Sequence, residues 1–293
     1  MDPAVFLIQC LNAVQYGLLL FLVASGLTLI FGIMGIINLA HGSFYMAGAY
    51  MAFALGPLVE RATGGGLPLT ILACVILAAA LGYALELVFF SFLYRRDHLQ
   101  QVLMTYGLIL VFEEARAILV GNDVHGVAMP AWLQGSVALG GVMTYPVYRL
   151  FISAVGAAVA LLLYLVITRT RIGMMVRAGA SNREMIASLG VDIDRLYRIV
   201  FAAGVALAAL AGAIAAPVSS VYPGMGSGVL IACFVVVVIG GIGSIRGAFL
   251  AAMLVGFVDT MGQVFFPAAA GVLVYVLMAA ILLCKPEGLF KQG

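Results

Sequence analysis

The chain has 293 residues, of which 65% are hydrophobic and only 9% charged; its mean hydropathy is +1.20 and its formal net charge +2. A soluble domain is about half apolar and about a quarter charged, and its surface must stay wetted as it grows. These figures exclude a soluble enzyme and a disordered chain, and so weak a field excludes nucleic acid as a partner. What remains is an all-α polytopic membrane protein with a single transmembrane domain over 1–293.

A span needs about 20 apolar residues to cross a core roughly 30 Å thick, and segments this long and uniform are helices rather than barrel strands. Pro3 to Val59 carries no formal charge and is long enough for two crossings, interrupted at Asn38-Leu-Ala-His41-Gly42. Its first part reads as a membrane span, not a removable signal. Leu67–Leu93 forms a third span, which contains Glu86 and stops at Arg95-Arg96. Gln101–Val120 and Val147–Ile167 follow. Ile199–Ile245 is a second long stretch, broken near Tyr222-Pro-Gly224-Met-Gly226, before Gly247–Phe266 and Ala268–Cys284. The total is eight to nine transmembrane segments with broken helices. Cys10, Cys74, Cys233 and Cys284 lie in apolar runs without metal-ligand spacing and read as packing residues. No metal and no cofactor is expected.

Basic residues set the orientation. An external N-terminus leaves only Arg61, Arg116 and Arg149 outside and places the other Arg and Lys residues, Lys285 and Lys291 included, in the cytoplasm. Residues 121–146 then form an external loop with Trp132, which either meets an external partner or caps the bundle. Residues 168–198 form the most charged, cytoplasmic loop. Within it Ser181-Asn182-Arg183-Glu184 fits a capping box. Met185, Ile186 and Leu189 follow at helical spacing, and Gly190 sits where a helix ends. A helix of about two turns with one apolar face is expected, and alone it is marginal in water. It packs either on the protein's own helix ends or in a groove on a cytoplasmic subunit. Asp192 and Asp194 can cap the next span. The only lysines are Lys285 and Lys291, and no GxxxxGK[ST] occurs, so the chain has no P-loop of its own.

Polar side chains inside spans are costly unless satisfied and often mark a solute route. Asn38 and His41 sit at the first break; they either border such a route or cap and pin the break. Ser43 and Tyr45 follow on the same segment, and Thr105 and Tyr106 near the start of the fourth span are further candidates. Glu113 and Arg116, three apart, share a helix face and can pair. Glu86 and Asp259 are each the lone acid of a span and need partners; the sequence leaves open whether they, Glu113 and Glu114 are structural or functional. Gly82, Gly107, Gly156, Gly204, Gly212, Gly240, Gly241 and Gly256 are small enough to let helices approach closely. Gly240–Gly247 reads either as such packing or as a broken or re-entrant helix that would mirror Asn38–Gly42.

The run Gly26-Leu-Thr-Leu-Ile-Phe-Gly32-Ile-Met-Gly35-Ile-Ile-Asn38-Leu-Ala-His41-Gly42-Ser-Phe-Tyr-Met-Ala-Gly48-Ala-Tyr50 resembles the signature of permeases of the branched-chain amino acid ABC importers. Gly190-Val-Asp192, Gly240-Gly-Ile-Gly243-Ser-Ile-Arg246-Gly247 and Lys285-Pro-Glu-Gly288-Leu-Phe290 are similar to the same family. The resemblance implies a transport subunit of the bacterial inner membrane that is not itself an enzyme. Its partners would be two cytosolic ATPases that bind the ATP, a second and related but different permease, a periplasmic binding protein, and the surrounding lipid. It implies that the helix over 181–189 is a coupling helix, assigning Arg177, Ser181, Asn182, Arg183, Glu184, Met185, Ile186, Leu189 and Gly190 to ATPase coupling. The solute would be a branched-chain or other hydrophobic amino acid. Ser43 stands where many amino-acid members carry an acid, which leaves room for an amide or an aromatic or organic acid.

The alternative is an ATP-independent secondary transporter or solute channel, which two interrupted spans fit equally well. A channel, however, has no need of a capped cytoplasmic helix. An intramembrane serine protease lacks the Gly-x-Ser-Gly setting here.

Overall fold

A computed structural model of the chain describes residues 3–94, 96–139 and 143–290. Arg95 and Lys291 therefore lie outside the described residues, as do the side chains of Arg183 and Glu184.

Helix α1 (Pro3–Met34) is apolar on every face and has no charge to turn toward water, so it takes the centre of the bundle. It packs against α6 (Val147–Arg169), α9 (Ile193–Ser219), α10 (Met225–Gly240) and α11 (Ile245–Phe265). Beyond it the chain breaks at 35–40 and restarts as α2 (His41–Thr63), which ends at left-handed Gly64. Helix α3 (Gly66–Leu85) continues through a π turn at Glu86–Phe90 into a last turn, α4 (Ser91–Leu93). Helix α5 (His98–Leu119) leads into the 121–146 loop, which holds a hairpin of β1 (Ser136–Leu139) and β2 (Met143–Pro146) with Ser136 opposite Pro146. The short helices α7 (Arg171–Ser181) and α8 (Arg183–Ser188) join α6 to α9, and α12 (Ala270–Cys284) closes the fold. The all-α expectation thus holds apart from one small hairpin.

Among the described residues six helices are long and apolar enough to cross a membrane: α1, α2, α3 extended to Leu93, α6, α9 and α11. The expected eight to nine crossings are not confirmed. Helices α10 and α12 are apolar but have only 16 and 15 residues, about 24 Å of rise against a core of about 30 Å. Helix α5 has the length but carries Glu113, Glu114 and Arg116.

Glycines set the closest contacts. A Cβ on Gly48 would lie 2.1 Å from the Ala209 carbonyl oxygen, and one on Gly212 2.0 Å from that of Tyr45, so α2 and α9 touch backbone to backbone. Of the expected packing glycines, Gly107 is an exception, because nothing lies within 4 Å of its missing Cβ. The 240–247 segment is a tight turn and not a re-entrant helix. Gly241 and Gly243 adopt positive φ, and the Ser244 hydroxyl caps α11 by accepting from the Gly247 amide at 3.1 Å. Cys74 and Cys233 are buried as packing residues, but Cys284 is exposed.

The 121–146 loop folds back on the bundle. His125 exchanges backbone hydrogen bonds of 2.8 Å with Val221, between α9 and α10, and its ring stacks on Phe53 of α2 at 4.4 Å. The Tyr145 hydroxyl and the Arg149 guanidinium both donate to Asn12 of α1. Arg116 pairs with Glu113 at 3.1 Å, as the spacing predicts, and also donates to the Gly121 carbonyl and Asn122. That places the pair in a helix-ending network.

Candidate functional site

Two places combine chemistry with unusual backbone. The first is the break between α1 and α2. Gly35 turns the chain with φ +66°, and the Asn38 side-chain oxygen accepts from the Ala40 amide at 3.1 Å, closing a local turn. His41 is fully buried and donates its Nε2 proton to the Val23 carbonyl of α1 at 2.9 Å. This bond ties α2 back to the middle of α1. Deleting a buried partner of this kind costs about 1–3 kcal/mol. Among the described residues His41 Nδ1 and Asn38 Nδ2 are buried without a hydrogen-bond partner.

Thr105 of α5 reaches the same break. Its hydroxyl lies 3.5 Å from the Ile37 carbonyl and 3.0 Å from that of Gln101 in its own helix. Ser43 is buried in the first turn of α2. Asn38, His41, Ser43 and Thr105 are each buried polar residues at or beside the break. Tyr45 is buried further along α2, beside Ser219 and Tyr222 at the second break. Tyr106 stands apart, 53% exposed on the outer face of α5.

The second break, residues 220–224, packs directly on the first. Gly42 at the start of α2 and Gly226 at the start of α10 approach so closely that neither has room for a Cβ. The sequence shows both breaks, but not that they meet. The Gly-rich signal at each end hints at close approach without naming the partner.

The second place is the 170–192 segment. Thr170 caps α7 by accepting from the Gly173 amide at 3.1 Å. Helix α8 is capped by Asn182, whose side-chain oxygen accepts from the Met185 amide at 2.9 Å. The expected cap was Ser181; that residue instead completes α7, and the extended backbone that a cap requires falls at Asn182. The reciprocal Glu184 contact and the Arg183 side chain lie outside the described residues. Gly190, at φ +84°, ends the helix as expected, with Gly190 bonded to Ala187 and Val191 to Ile186 in a Schellman pattern. Asp192 then caps α9 through the Arg195 amide at 3.0 Å.

The expected single apolar face of α8 is divided. Ile186 is 3% exposed and packed into the core, whereas Met185 and Leu189 are 57% and 74% exposed. Helix α7 buries Gly173, Val176 and Gly179, and turns Arg177 outward. The two lone acids also find partners. Buried Glu86 accepts from the Tyr94 hydroxyl at 2.5 Å and faces Arg198 at 3.5 Å, which ties the end of α3 to α9. Asp259 accepts from Gln263 one turn on at 2.7 Å.

Broken apolar helices, buried polar residues at the break and a short capped helix outside the bundle define a helical membrane transport subunit. The sequence model described as the permease component of branched-chain amino acid transport systems matches residues 9–284, and the chain belongs to that family. It is 32% identical to the high-affinity branched-chain amino acid transport system permease protein BraD of Pseudomonas aeruginosa, over 98% of this chain and 96% of that one. It is 28% identical to the corresponding LivH protein of Escherichia coli K12, over 98% and 96%, and 24% identical to a probable LivH of Methanocaldococcus jannaschii, over 95% and 90%. No solved structure matches the chain. As a permease component it is a multi-pass inner-membrane protein.

Proposed function

We propose that this chain forms one half of the solute pathway of an ATP-binding-cassette importer. It receives a branched-chain or related hydrophobic amino acid from a periplasmic binding protein and releases it to the cytoplasm. The pathway is completed by a second, related permease, and ATP is bound and hydrolysed by two cytosolic ATPase subunits. This chain holds no cofactor of its own. The N-terminus lies outside and the C-terminus inside, with α5, α10 and α12 as further membrane segments.

The observation that carries the reading is the surface of α8. Ile186 anchors the helix to the membrane domain while Met185 and Leu189 stand exposed beside it. A two-state transporter responds only to contacts that differ between its states. A rigid helix fixed on one side and open on the other can pass a displacement from an ATPase to the spans. Residues 177 and 181–190 make up this handle. An ATP-independent carrier would give α8 no counterpart.

Asn38, His41, Ser43, Tyr45 and Thr105 would line the solute pathway at a gate formed by the α1–α2 break, and Tyr106 would line the same pathway. Ser43 in place of an acid removes a fixed negative charge from this gate, which also suits amides and aromatic or organic acids as solutes.

Purification of the chain from its native membrane in mild detergent, with mass spectrometry of what remains bound, tests the assembly. Recovery of P-loop ATPases and a second permease is the expected result. Recovery of the chain alone, with solute flux in vesicles that needs no ATP, would overturn it.

A further inference from the structure

Helices α1, α6 and α11 leave an apolar cleft of about 450 Å³ between them, walled by Leu18, Phe21, Ala157, Ala160, Phe249 and Leu250. From Tyr164 to Ala157 along α6 it runs about 10 Å into the span. Arg246, in the first turn of α11, closes one end, its guanidinium 5.6 Å from the centre of the Tyr164 ring. Arg246 also lines a second cavity of about 710 Å³, together with Thr168, Arg177, Ser181 and Ser244. Among the described residues no acidic side chain lines either cavity. Neither arginine forms an ion pair among the described residues; the pairs found there involve Arg116 and Arg198.

An apolar slot inside the hydrocarbon region, opening at the end of two spans onto a polar cavity with two unpaired guanidinium groups, matches one amphiphile. We propose that the cleft and cavity together bind one anionic phospholipid. Its phosphate meets Arg246 and Arg177, and an acyl chain lies along Phe21, Ala160 and Phe249. Arginine suits this position because its planar fork holds a phosphate by two parallel hydrogen bonds. It also stacks on Tyr164 without losing those donors. Basic pockets between spans are a recurrent form of lipid headgroup site.

The test uses the intact transporter complex, exchanged into vesicles of mixed phosphatidylglycerol and phosphatidylcholine and then stripped with detergent, with retained lipid counted by native mass spectrometry. The expected result is preferential retention of phosphatidylglycerol. Arg246→Gln should lower it about fivefold, the effect of one basic group near an anionic lipid, and Arg246→Lys less. Ala160→Trp should fill the slot and displace the lipid while leaving both charges. Equal retention of the two lipids, or retention unchanged in both Arg246→Gln and Ala160→Trp, would overturn the proposal. So would efficient cross-linking of a cysteine at position 160 to the second permease, since a protein surface would then fill the cleft.

Discussion

Gly42 and Gly226 meet backbone to backbone where the two breaks in the bundle cross. A Cβ on Gly42 would lie 2.2 Å from the Gly226 carbonyl oxygen, and one on Gly226 2.5 Å from that of Gly42. Each glycine is the second residue of the helix that restarts after its break, α2 in one case and α10 in the other. The two breaks are therefore a single joint, and its closeness depends on the absence of side chains.

Gly42→Ala should part the joint. Because the obstacle is backbone and not the end of a flexible side chain, the helices must shift, at a cost of about 1–3 kcal/mol. Gly107→Ala, with open space around it, is the matched control. Thermal unfolding of the purified protein checks this; equal midpoints for the two variants would contradict it.

The Glu86–Arg198 contact makes an asymmetric prediction. Glu86→Gln removes the buried charge but keeps an acceptor for Tyr94. Arg198→Met leaves a buried carboxylate without its counter-ion, which is the more damaging change. Arg198→Met should therefore lower the melting temperature more than Glu86→Gln, and adding Glu86→Gln to Arg198→Met should recover part of the loss. An additive double variant would show that the 3.5 Å contact carries no coupling.

Asn182 holds the start of a helix only six residues long, which has little other means of keeping its shape. Asn182→Ala should cost about 1 kcal/mol of local stability and raise amide exchange at Met185, while Asn182→Asp and Asn182→Ser should keep the cap. Ser181→Ala should leave α8 unchanged, because the Ser181 side chain is not the one that bonds the Met185 amide. Hydrogen exchange over 183–190 distinguishes these outcomes.

The sequence shows the joint's two halves because each break carries its own local signal. Asn38 precedes an Ala-His-Gly start, and Tyr222-Pro-Gly forbids a continuous helix. That the halves touch is a tertiary fact, and no local pattern contains it. Ser181 and Asn182 are adjacent and both able to cap; the choice between them follows from how far α7 runs, which depends on burial of Val176 and Gly179. The period of Met185, Ile186 and Leu189 shows a helix but not its rotation, so the separation of buried Ile186 from its exposed neighbours was illegible. Gly107 and Cys284 look like the other small residues in apolar runs. In a membrane protein an apolar run reads the same whether it faces lipid or protein, so the open space beside Gly107 and the exposure of Cys284 are not legible in it.

The central claim is that α8 transmits the state of an ATPase to the spans through Met185 and Leu189. The most direct measurement is ATP-driven uptake of radiolabelled leucine into proteoliposomes holding the full complex with its binding protein, alongside ATPase activity in the same vesicles. Met185→Asp with Leu189→Asp should reduce uptake at least tenfold, equivalent to about 1.4 kcal/mol of lost contact. The basal ATPase rate should remain, and the chain should keep its melting temperature because both side chains are exposed. Uptake and its coupling to ATP at the level of the unaltered protein would contradict the account.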